Sequence, residues 1–365
     1  MGSWSRQVAT DQSADRSAHS KKYSMPNSVL RHQLTRLLNR ENLTRAEAAD
    51  LLSAMLADDA SDSQIAATLV ALSAKGETVQ ELAGMADGLR ARAERINSCH
   101  SVCVDTAGTG SSRAKTFNVS TAAAFVIAGA GLAVAKHGNR AASSNSGSAD
   151  VLTALGVNVS TLPRIAEGCL NEIGICFMFA PLYHGATARV AGIRRELGVR
   201  TTFNLLGPLS NPAGAPTQII GVWRQDLVER LAQVLAALGT KRAWVVHGED
   251  GLDEITLHGK TFVAEVCDKQ VKTFEITPQD FGLSASTLDH VRGGNADANA
   301  AIILDVLANK RRDEARALIV ANAAGALFVG GKGNTLREAA GLAEASIESG
   351  AAQMKLEQLI EATNV

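Results

Sequence analysis

The chain has 365 residues, of which 46% are hydrophobic and 20% are charged, and this composition predicts folded globular domains rather than general disorder. The 36 Lys and Arg residues balance the 37 Asp and Glu residues, so no whole-chain attraction to nucleic acid or to an anionic membrane is expected. The five cysteines are scattered and include no C-x-x-C pair. This pattern argues against a disulfide framework and a structural zinc site, and it favours a reducing, cytoplasmic environment.

Neither a secretory signal nor a membrane segment is predicted. Residues 1–24 are mostly polar and lack the hydrophobic centre of a signal peptide, so we expect a disordered N-terminal tail. The longest uncharged apolar run, residues 122–135, is shorter than the roughly 18 residues that span a bilayer. Its many Ala and Gly residues suit a buried helix followed by a strand.

From residue 28 to about residue 94 the pattern is helical throughout and predicts a subdomain of four short helices. Thr44 and Glu47 have the spacing of a capping box at the start of the second helix. Asp62 is predicted to cap the third helix. The buried face of the first helix is predicted from leucines at helical spacing, namely Leu30, Leu34, Leu37 and Leu38.

From Val102 onward, short β-rich runs alternate with Ala-rich helical stretches, which predicts an α/β sheet covered by helices. The predicted strands include residues 102–104, 132–136 and 243–247, and the predicted helices include 121–129, 226–238 and 296–307. Ligands of such folds bind at the loops that leave the carboxyl ends of the strands. Three loops of that kind carry polar side chains.

The first loop covers residues 105–112 and leads to the start of an apolar helix. Its glycines let backbone N–H groups converge and its hydroxyls add donors, which suits phosphate oxygens. Asn118, Ser120 and Thr121 stand at the start of that helix, where the dipole favours negative charge. The alternative is a flexible turn followed by an ordinary helix cap. The loop is not a dinucleotide-binding fingerprint, because Arg113 replaces the third glycine, and it is not a P-loop.

The second loop follows a predicted buried strand and covers residues 136–148. The cations of Lys136 and Arg140 stand beside the His137 imidazole, the Asn139 amide and several serine hydroxyls. The residues between them are small, so these groups can line a tight anion pocket. The alternative is a solvated basic loop.

The third loop, residues 247–254, carries four carboxylates within six residues. Such a cluster repels itself unless water or a cation neutralises it, and hard oxygen ligands suit Mg²⁺, which often bridges substrate phosphates. The alternative is an acidic surface turn. Together the three loops predict transfer chemistry on a phosphorylated substrate bound with Mg²⁺.

Five motifs that occur in order between about Ser28 and Leu359 resemble those of the anthranilate phosphoribosyltransferases. They are G-T-G at 108–110, T-F-N-V-S-T at 116–121, K-H-G-N-R at 136–140, G-V-R-T-T-F-N-L-L-G-P-L at 198–209 and H-G-E-D-G-L-D-E at 247–254. The resemblance implies transfer of a phosphoribosyl group from phosphoribosyl pyrophosphate to anthranilate in tryptophan biosynthesis. It also implies Mg²⁺, with two ions, as the cofactor.

The same resemblance implies a nucleoside-phosphorylase-like phosphoribosyltransferase fold, usually in a homodimer. A small helical domain would comprise residues 25–96 with 187–212. A large α/β domain with a central sheet would comprise residues 97–186 with 213–365.

The site residues are likewise implied by the resemblance, motif by motif. Phosphoribosyl pyrophosphate would be bound by Gly108, Thr109, Gly110, Ser111, Ser112, Thr116, Asn118, Val119, Ser120, Thr121, Lys136, His137, Gly138, Asn139, Arg140, Ser143, Ser144 and Ser148. Anthranilate would be bound by Gly108, His137, Asn139, Pro181, Tyr183, His184 and Arg194. Mg²⁺ would be held by Ser120, Asp253 and Glu254.

The chemistry agrees with these roles. The planar guanidinium of Arg194 suits the carboxylate of anthranilate. The alternative is that Arg194 or Arg195 pairs with Glu196 or faces water. No residue is assigned as a general acid or base, because the amine of anthranilate is already a neutral nucleophile. Donors and a metal ion that stabilise the leaving pyrophosphate can supply most of the acceleration.

One departure from the family pattern is that Ser111 and Ser112 stand where the family usually has Gly-Asp. We expect retained activity with an altered Mg²⁺ dependence. Two alternatives remain, a pyrimidine nucleoside phosphorylase and a non-catalytic, nucleic-acid-binding relative of the fold. The first would need its own nucleobase-recognition motif, and the second would show degraded loops and an excess of basic residues.

Overall fold

The computed structural model describes residues 27–110, 116–141, 145–287 and 291–364. The predicted N-terminal tail, Ser111, Ser112, Ser143 and Ser144 therefore lie outside the described residues. Within the described ranges, no helix combines the length and the apolar character that a membrane crossing needs.

The four helices predicted at the start of the chain are present. They are α1 (Ser28–Leu38), α2 (Arg45–Met55), α3 (Asp62–Lys75) and α4 (Val79–Arg92). The Thr44 side chain accepts a hydrogen bond from the N–H of Glu47, and the Glu47 side chain caps Thr44 in return, which confirms the predicted capping box.

Two details of the helical prediction were wrong. Ser61, not Asp62, caps α3, because Ser61 and Gln64 form a reciprocal capping box one residue earlier. Leu38 is 69% exposed, whereas Leu30 and Leu37 are buried. Leu30 and Leu37 lie two turns apart on one face, and Leu38 lies about 100° further around the helix.

A seven-stranded sheet follows, with strand order β3-β2-β1-β4-β5-β6-β7. The strands are β1 (Cys103–Gly108), β2 (Ala133–Gly138), β3 (Ile175–Phe179), β4 (Thr217–Gly221), β5 (Arg242–Gly248), β6 (Thr261–Cys267) and β7 (Gln270–Ile276). The first five strands in this order are parallel to one another. β6 runs antiparallel to both of its neighbours, β5 and β7. The chain order reverses between β1 and β4, the position at which open α/β sheets bind ligands.

Eleven further α-helices are described. They are α5 (Val119–Gly129), α6 (Ser148–Ala154), α7 (Pro163–Gly168), α8 (Ala180–Tyr183), α9 (Ala188–Leu197), α10 (Phe203–Leu209), α11 (Asp226–Ala237), α12 (Ala296–Leu307), α13 (Glu314–Val329), α14 (Leu336–Glu348) and α15 (Ala351–Thr363). The predicted combination of a helical part with an α/β part is confirmed.

Each face of the sheet packs into a different hydrophobic core. Ile219 and Trp244 lie in one core together with α5 and α13, whereas Ile220 and Val245 lie in a second core. Successive residues of a strand point to opposite faces, which explains the division. The second core also contains the buried residues of α1–α4, α9, α10 and α11. The N-terminal helices therefore share one continuous core with a face of the sheet.

Candidate active site

The acidic loop lies directly across the ends of β1 and β4. A Cβ added to Gly108 would come within 3.1 Å of Asp253 Oδ2, and one added to Gly221 would come within 1.6 Å of the Asp253 carbonyl oxygen. Gly108 and Gly221 are neighbours in the parallel pair β1–β4. A side chain at Gly221 would therefore displace the backbone of the acidic loop, whereas one at Gly108 would press on the Asp253 side chain.

The ammonium of Lys136, in the second half of β2, joins the first two loops. Lys136 is 4% exposed, and its Nζ donates to the Thr106 carbonyl oxygen at 2.5 Å and lies 3.4 Å from Ser120 Oγ. The Ser120 N–H in turn hydrogen bonds to the Glu254 carboxylate. Residues from all three polar loops therefore meet around Ser120, in the first turn of α5, as the sequence predicted.

Two adjacent carboxylates face this group. Burial, and then the charge of Asp253, raise the pKa of Glu254 to about 8, while Lys136 and the Ser120 N–H act in the opposite direction. Burial also raises the pKa of Asp253, against hydrogen bonds from backbone N–H groups that include Gly110. The ionised form of both carboxylates is therefore destabilised in this position, and a bound cation would stabilise it.

The donor set suits a hard divalent ion that keeps water and substrate oxygens as ligands. Within the described ranges, no group of three or more His, Cys, Asp or Glu side chains could enclose a metal by itself. Two carboxylates with one nearby hydroxyl are enough for Mg²⁺, which retains several waters and binds through substrate phosphates. The residues present therefore fit Mg²⁺ better than a zinc site.

The glycine loop is fixed at both ends. Thr109 donates its N–H and its hydroxyl to the Gly221 carbonyl oxygen at 2.9 and 3.1 Å, so these donors hold the loop to β4. Gly110 has φ +65°, the left-handed conformation that glycine adopts without strain. Thr116, where the described chain resumes, forms an isolated antiparallel bridge with Arg292.

Asn118 connects the first loop to the second. Its Oδ1 accepts from Ser146 Oγ at 3.2 Å and from Asn299 Nδ2 at 3.0 Å, and its Nδ2 donates to the Ser146 carbonyl oxygen. The residues that follow, Val119 and Thr121, are buried. Thr121 Oγ1 has no hydrogen-bond partner within the described ranges.

The other described residues of the second loop bond to one another and to Asp150 of α6. Arg140 Nη1 pairs with Asp150 Oδ1 at 3.0 Å, and its guanidinium lies 5.7 Å from the centre of the Phe179 ring. Ser148 Oγ donates to the Asn139 carbonyl oxygen at 3.3 Å. A Cβ on Gly138 would come within 2.1 Å of Ser148 Oγ, so this glycine lets the chain pass close to α6.

A second group of unsatisfied polar side chains lies next to Lys136. The rings of His137 and His184 lie 5.2 Å apart, and the buried Nε2 atom of each lacks a hydrogen-bond partner among the described residues. Burial lowers the pKa of His137 to about 3, so its ring is neutral. Two buried, unpaired ring nitrogens are costly unless a ligand or water satisfies them.

Arg194, in the last turn of α9, contacts α10, the helix whose Gly207 backbone also bonds to His137. Its Nη2 donates to Asn204 Oδ1 at 3.3 Å, its guanidinium lies 5.5 Å from the centre of the Phe203 ring, and its buried Nε has no partner. Burial lowers the pKa of Arg194, and the described residues include no carboxylate that pairs with it, so the alternative pairing with Glu196 is not present. A partly buried guanidinium without a counter-charge among the described residues suits an anionic ligand.

Two of the residues predicted to bind anthranilate are placed differently from this group. The Tyr183 side chain packs in the first core, with the thiols of Cys169 and Cys176 among its neighbours. Burial raises the pKa of its phenol. Pro181 lies on the exposed side of the short helix α8.

Sequence reasoning missed a buried carboxylate behind the site. Asp105 is fully buried, and it accepts from the His137 N–H at 3.2 Å and from Asn211 Nδ2 at 2.8 Å. Burial raises its pKa to about 6, and the charge of Lys136 is the main opposing effect. An Asp inside an otherwise apolar strand was the available signal. Asn211, in the loop before β4, also bonds to the Ala135 carbonyl oxygen, and no sequence pattern indicates that contact.

Comparison with known proteins gives one family. The α/β domain model of a glycosyl transferase family matches residues 100–353, and the helical bundle domain model of a glycosyl transferase family matches residues 31–93. An anthranilate phosphoribosyltransferase from Moorella thermoacetica is 49% identical over 332 residues, which cover 91% of this chain and 98% of that protein.

Solved structures agree with this match. The anthranilate phosphoribosyltransferase of Thermus thermophilus has a TM-score of 0.86 and 38% identity, over 91% of this chain and 99% of its own. The Saccharomyces cerevisiae enzyme, in complex with PRPP and Mg, has a TM-score of 0.85 and 28% identity, over 94% and 99%. These similarities favour neither a nucleoside phosphorylase nor a nucleic-acid-binding protein. The chain belongs to the anthranilate phosphoribosyltransferase family.

Proposed function

We propose that this protein transfers the 5-phosphoribosyl group of phosphoribosyl pyrophosphate to the amine of anthranilate, with release of pyrophosphate, in tryptophan biosynthesis. The carrying observation is the meeting of Lys136, the first turn of α5 and the Asp253–Glu254 pair around Ser120. This arrangement places hydrogen-bond donors for phosphate oxygens beside a cation site. The ring of His137, which follows Lys136 in the chain, lies beside the ring of His184. His137 also bonds to Gly207 of α10, the helix that contacts Arg194, and so extends the site in that direction.

The phosphoribosyl pyrophosphate is proposed to lie across the three loops. Lys136 and the N–H groups at the start of α5 bind phosphate oxygens, because a helix N-terminus and a buried ammonium both favour negative charge. Asn118 holds the first loop against the second through its hydrogen bond with Ser146, and Asn299 fixes the same amide oxygen. Asp105 and Asn211 hold the end of β2, from which Lys136 extends.

Mg²⁺ is proposed to be held by Ser120, Asp253 and Glu254, with two ions bound in the complete complex. The yeast relative has been solved with PRPP and Mg, and the raised pKa values of both carboxylates here support a cation between them. Bound Mg²⁺ would neutralise charge that develops on the departing pyrophosphate. The chain's own contribution is to fix the carboxylates beneath the ends of β1 and β4.

Anthranilate is proposed to bind with its carboxylate on Arg194 and its ring near His137, His184 and Asn139. The same yeast enzyme has also been solved in complex with 4-fluoroanthranilate. His137, neutral at physiological pH, can accept or donate one hydrogen bond without adding charge. The chain orients an amine that is already nucleophilic, and proximity then supplies a large part of the acceleration.

The domain division, residues 25–96 with 187–212 against 97–186 with 213–365, is part of the proposal. It places Arg194 in the small domain and Lys136 in the large one, so closure of the two domains would bring the substrates together. Substrate-dependent protection of residues 210–214 in hydrogen exchange is expected. Equal exchange with and without both substrates contradicts this division.

We further propose a cytoplasmic homodimer. The five cysteines are all free thiols, three of them buried, which suits a reducing compartment. Val29 on α1 and Val70 on α3 are exposed on two neighbouring helices and offer apolar surface for association. Light scattering is expected to give twice the chain mass, and the Val70→Glu variant is expected to give a larger monomer fraction.

The direct test is the loss of anthranilate fluorescence in the presence of phosphoribosyl pyrophosphate and Mg²⁺. The wild-type protein is expected to consume anthranilate, and the Lys136→Met variant is expected to lose at least about a hundredfold in kcat/KM, because one transition-state donor is worth that much. Lys241→Met, on an exposed lysine, is the matched control. Phosphorolysis of thymidine or uridine without anthranilate turnover would refute the proposal.

The serines at 111 and 112 give a separate test of the Mg²⁺ dependence. The Ser111→Gly/Ser112→Asp variant restores the residues usual in the family and adds a carboxylate to the glycine loop. We expect it to reach half-maximal activity at a different Mg²⁺ concentration from the wild type. Superimposable Mg²⁺ titrations would show that the two serines do not affect the metal.

A further inference from the structure

We propose that Asn204, with the ring of Phe203, is a positioning residue that sets the orientation of Arg194 towards the carboxylate of anthranilate. The inference rests on the proposed function and deepens it. Asn204 lies in the first turn of α10 and does not itself touch the substrate in this proposal. It acts through Arg194.

The orientation of the Asn204 amide is fixed by the backbone of the preceding turn. Its Oδ1 accepts a hydrogen bond from the Thr201 N–H at 3.0 Å, and its own N–H donates to the Thr201 carbonyl oxygen at 2.8 Å. The side-chain oxygen must therefore face this turn, since the amide nitrogen cannot accept. The same oxygen receives Nη2 of Arg194 at 3.3 Å.

The guanidinium of Arg194 is held on a second side by Phe203, whose ring centre lies 5.5 Å from the guanidinium carbon. This platform is itself anchored, because the neighbouring Thr202 is fully buried and donates its hydroxyl to Glu77 Oε1 at 2.6 Å. A cation above an aromatic face is attracted and restricted in tilt. Two contacts therefore define both the position and the plane of the guanidinium.

The Nε donor of Arg194 is left for a ligand. Its Nε is buried and has no hydrogen-bond partner in the part of the chain that the structure describes. A neutral amide at position 204 satisfies one donor without cancelling the positive charge. An aspartate there could accept the same two hydrogen bonds but would neutralise the guanidinium. The choice of Asn over Asp thus keeps Arg194 available for a carboxylate.

The test is the Asn204→Asp variant, which keeps the shape and both acceptor contacts of the side chain. Its KM for anthranilate is expected to rise at least tenfold, while kcat and KM for phosphoribosyl pyrophosphate stay within twofold of wild type. A change that acted only on folding would not separate the two KM values. The matched control is Asn158→Asp, an exposed asparagine whose Oδ1 accepts the Ser160 N–H. It adds the same charge and is expected to leave both KM values unchanged.

The Phe203→Leu variant provides a second, independent measurement. It removes the aromatic face but keeps an apolar side chain, and we expect KM for anthranilate to rise about threefold, in keeping with a partly exposed cation–π contact. An Asn204→Asp variant whose KM for anthranilate stays within twofold of wild type overturns the inference and leaves the proposed function intact. A wild-type protein that consumes no anthranilate overturns both.

Discussion

His137 shows what burial does to a titratable residue beside the site. It is 7% exposed, and burial lowers its pKa to about 3 from an ordinary value of 6.5. The unfolded chain therefore binds a proton below about pH 6.5 that the folded protein does not bind, so folding stability falls as the pH falls below that value. Between pH 7 and pH 5 this histidine alone removes about 2 kcal/mol of stability.

We expect the His137→Gln variant to lose less stability than the wild type over this pH range, although it starts from a lower value at pH 7. The measurement is the free energy of unfolding in urea at pH 7 and at pH 5. The other buried histidine in the pair, His184, also has a lowered pKa and remains in both proteins. Parallel pH dependences of the two proteins would contradict the assignment to His137.

Gly221 shows the reverse case, a residue whose missing side chain leaves room for the acidic loop. A Cβ there would lie 1.6 Å from the carbonyl oxygen of Asp253, so Gly221→Ala must displace the acidic loop. We expect a loss of at least about 2 kcal/mol in stability, since overpacking and a backbone shift act together. Because the displaced loop carries Asp253 and Glu254, we also expect a weaker dependence of activity on Mg²⁺.

The control for this prediction is Gly168→Ala. Gly168 is helical, with φ −59°, and a Cβ there would meet no atom within 4 Å. This substitution is expected to stabilise the protein by about 0.5–1 kcal/mol, because alanine favours the helix and restricts the unfolded chain. Equal melting temperatures for the two alanine variants would show that Gly221 does not hold the loop.

At the scale of elements, the turn between α3 and α4 is joined to the start of α2 through one buried carboxylate. Glu81 is fully buried, pairs with Lys75 Nζ at 2.9 Å, and also accepts the Leu43 N–H at 2.9 Å. Breaking a buried pair by removal of one charge typically costs about 3–5 kcal/mol. We expect Glu81→Gln to lower the free energy of unfolding by about 3 kcal/mol.

The matched comparison is Glu275→Gln, which breaks an ion pair with Lys260 at 2.7 Å whose side chains are 45% and 52% exposed. An exposed pair contributes about 0–1 kcal/mol, so this variant is expected to stay close to the wild type. The check is denaturant unfolding of both variants. If the two substitutions lower the free energy of unfolding by the same amount, the buried pair does not stabilise the contact between these helices.

At the scale of the whole molecule, the helical layer and the sheet share a core and should unfold together. Leu206 of α10 is fully buried in the second core, which also contains residues of α1–α4 and of β4–β6. We expect a single calorimetric transition. The Leu206→Ala variant is expected to lose about 2–5 kcal/mol in free energy of unfolding, and its whole transition should move to lower temperature. A separate early transition of the N-terminal helices would contradict this. Leu342→Ala, at an exposed leucine on α14, is the control.

The sequence by itself determined the helical subdomain, the α/β alternation and the three polar loops. Capping boxes, strand periodicity and glycine-rich turns are local patterns, and their physical causes act within a few residues. Thr44 with Glu47 illustrates this success. Two predictions failed at the same scale. Ser61, one residue before Asp62, caps α3 instead, and Leu38 lies about 100° around α1 from the buried face. The family motifs then predicted the substrates.

Only the tertiary structure decided which polar groups meet and which remain without a partner. The contacts of Asp105 with Asn211 and of Arg194 with Asn204 join different elements, and the packing of Tyr183 into the core depends on residues distant in the chain. The free energy of a buried charge depends on all of its neighbours together, whatever their sequence separation. The sequence names the candidate groups, and three-dimensional packing determines which of them can act on a ligand.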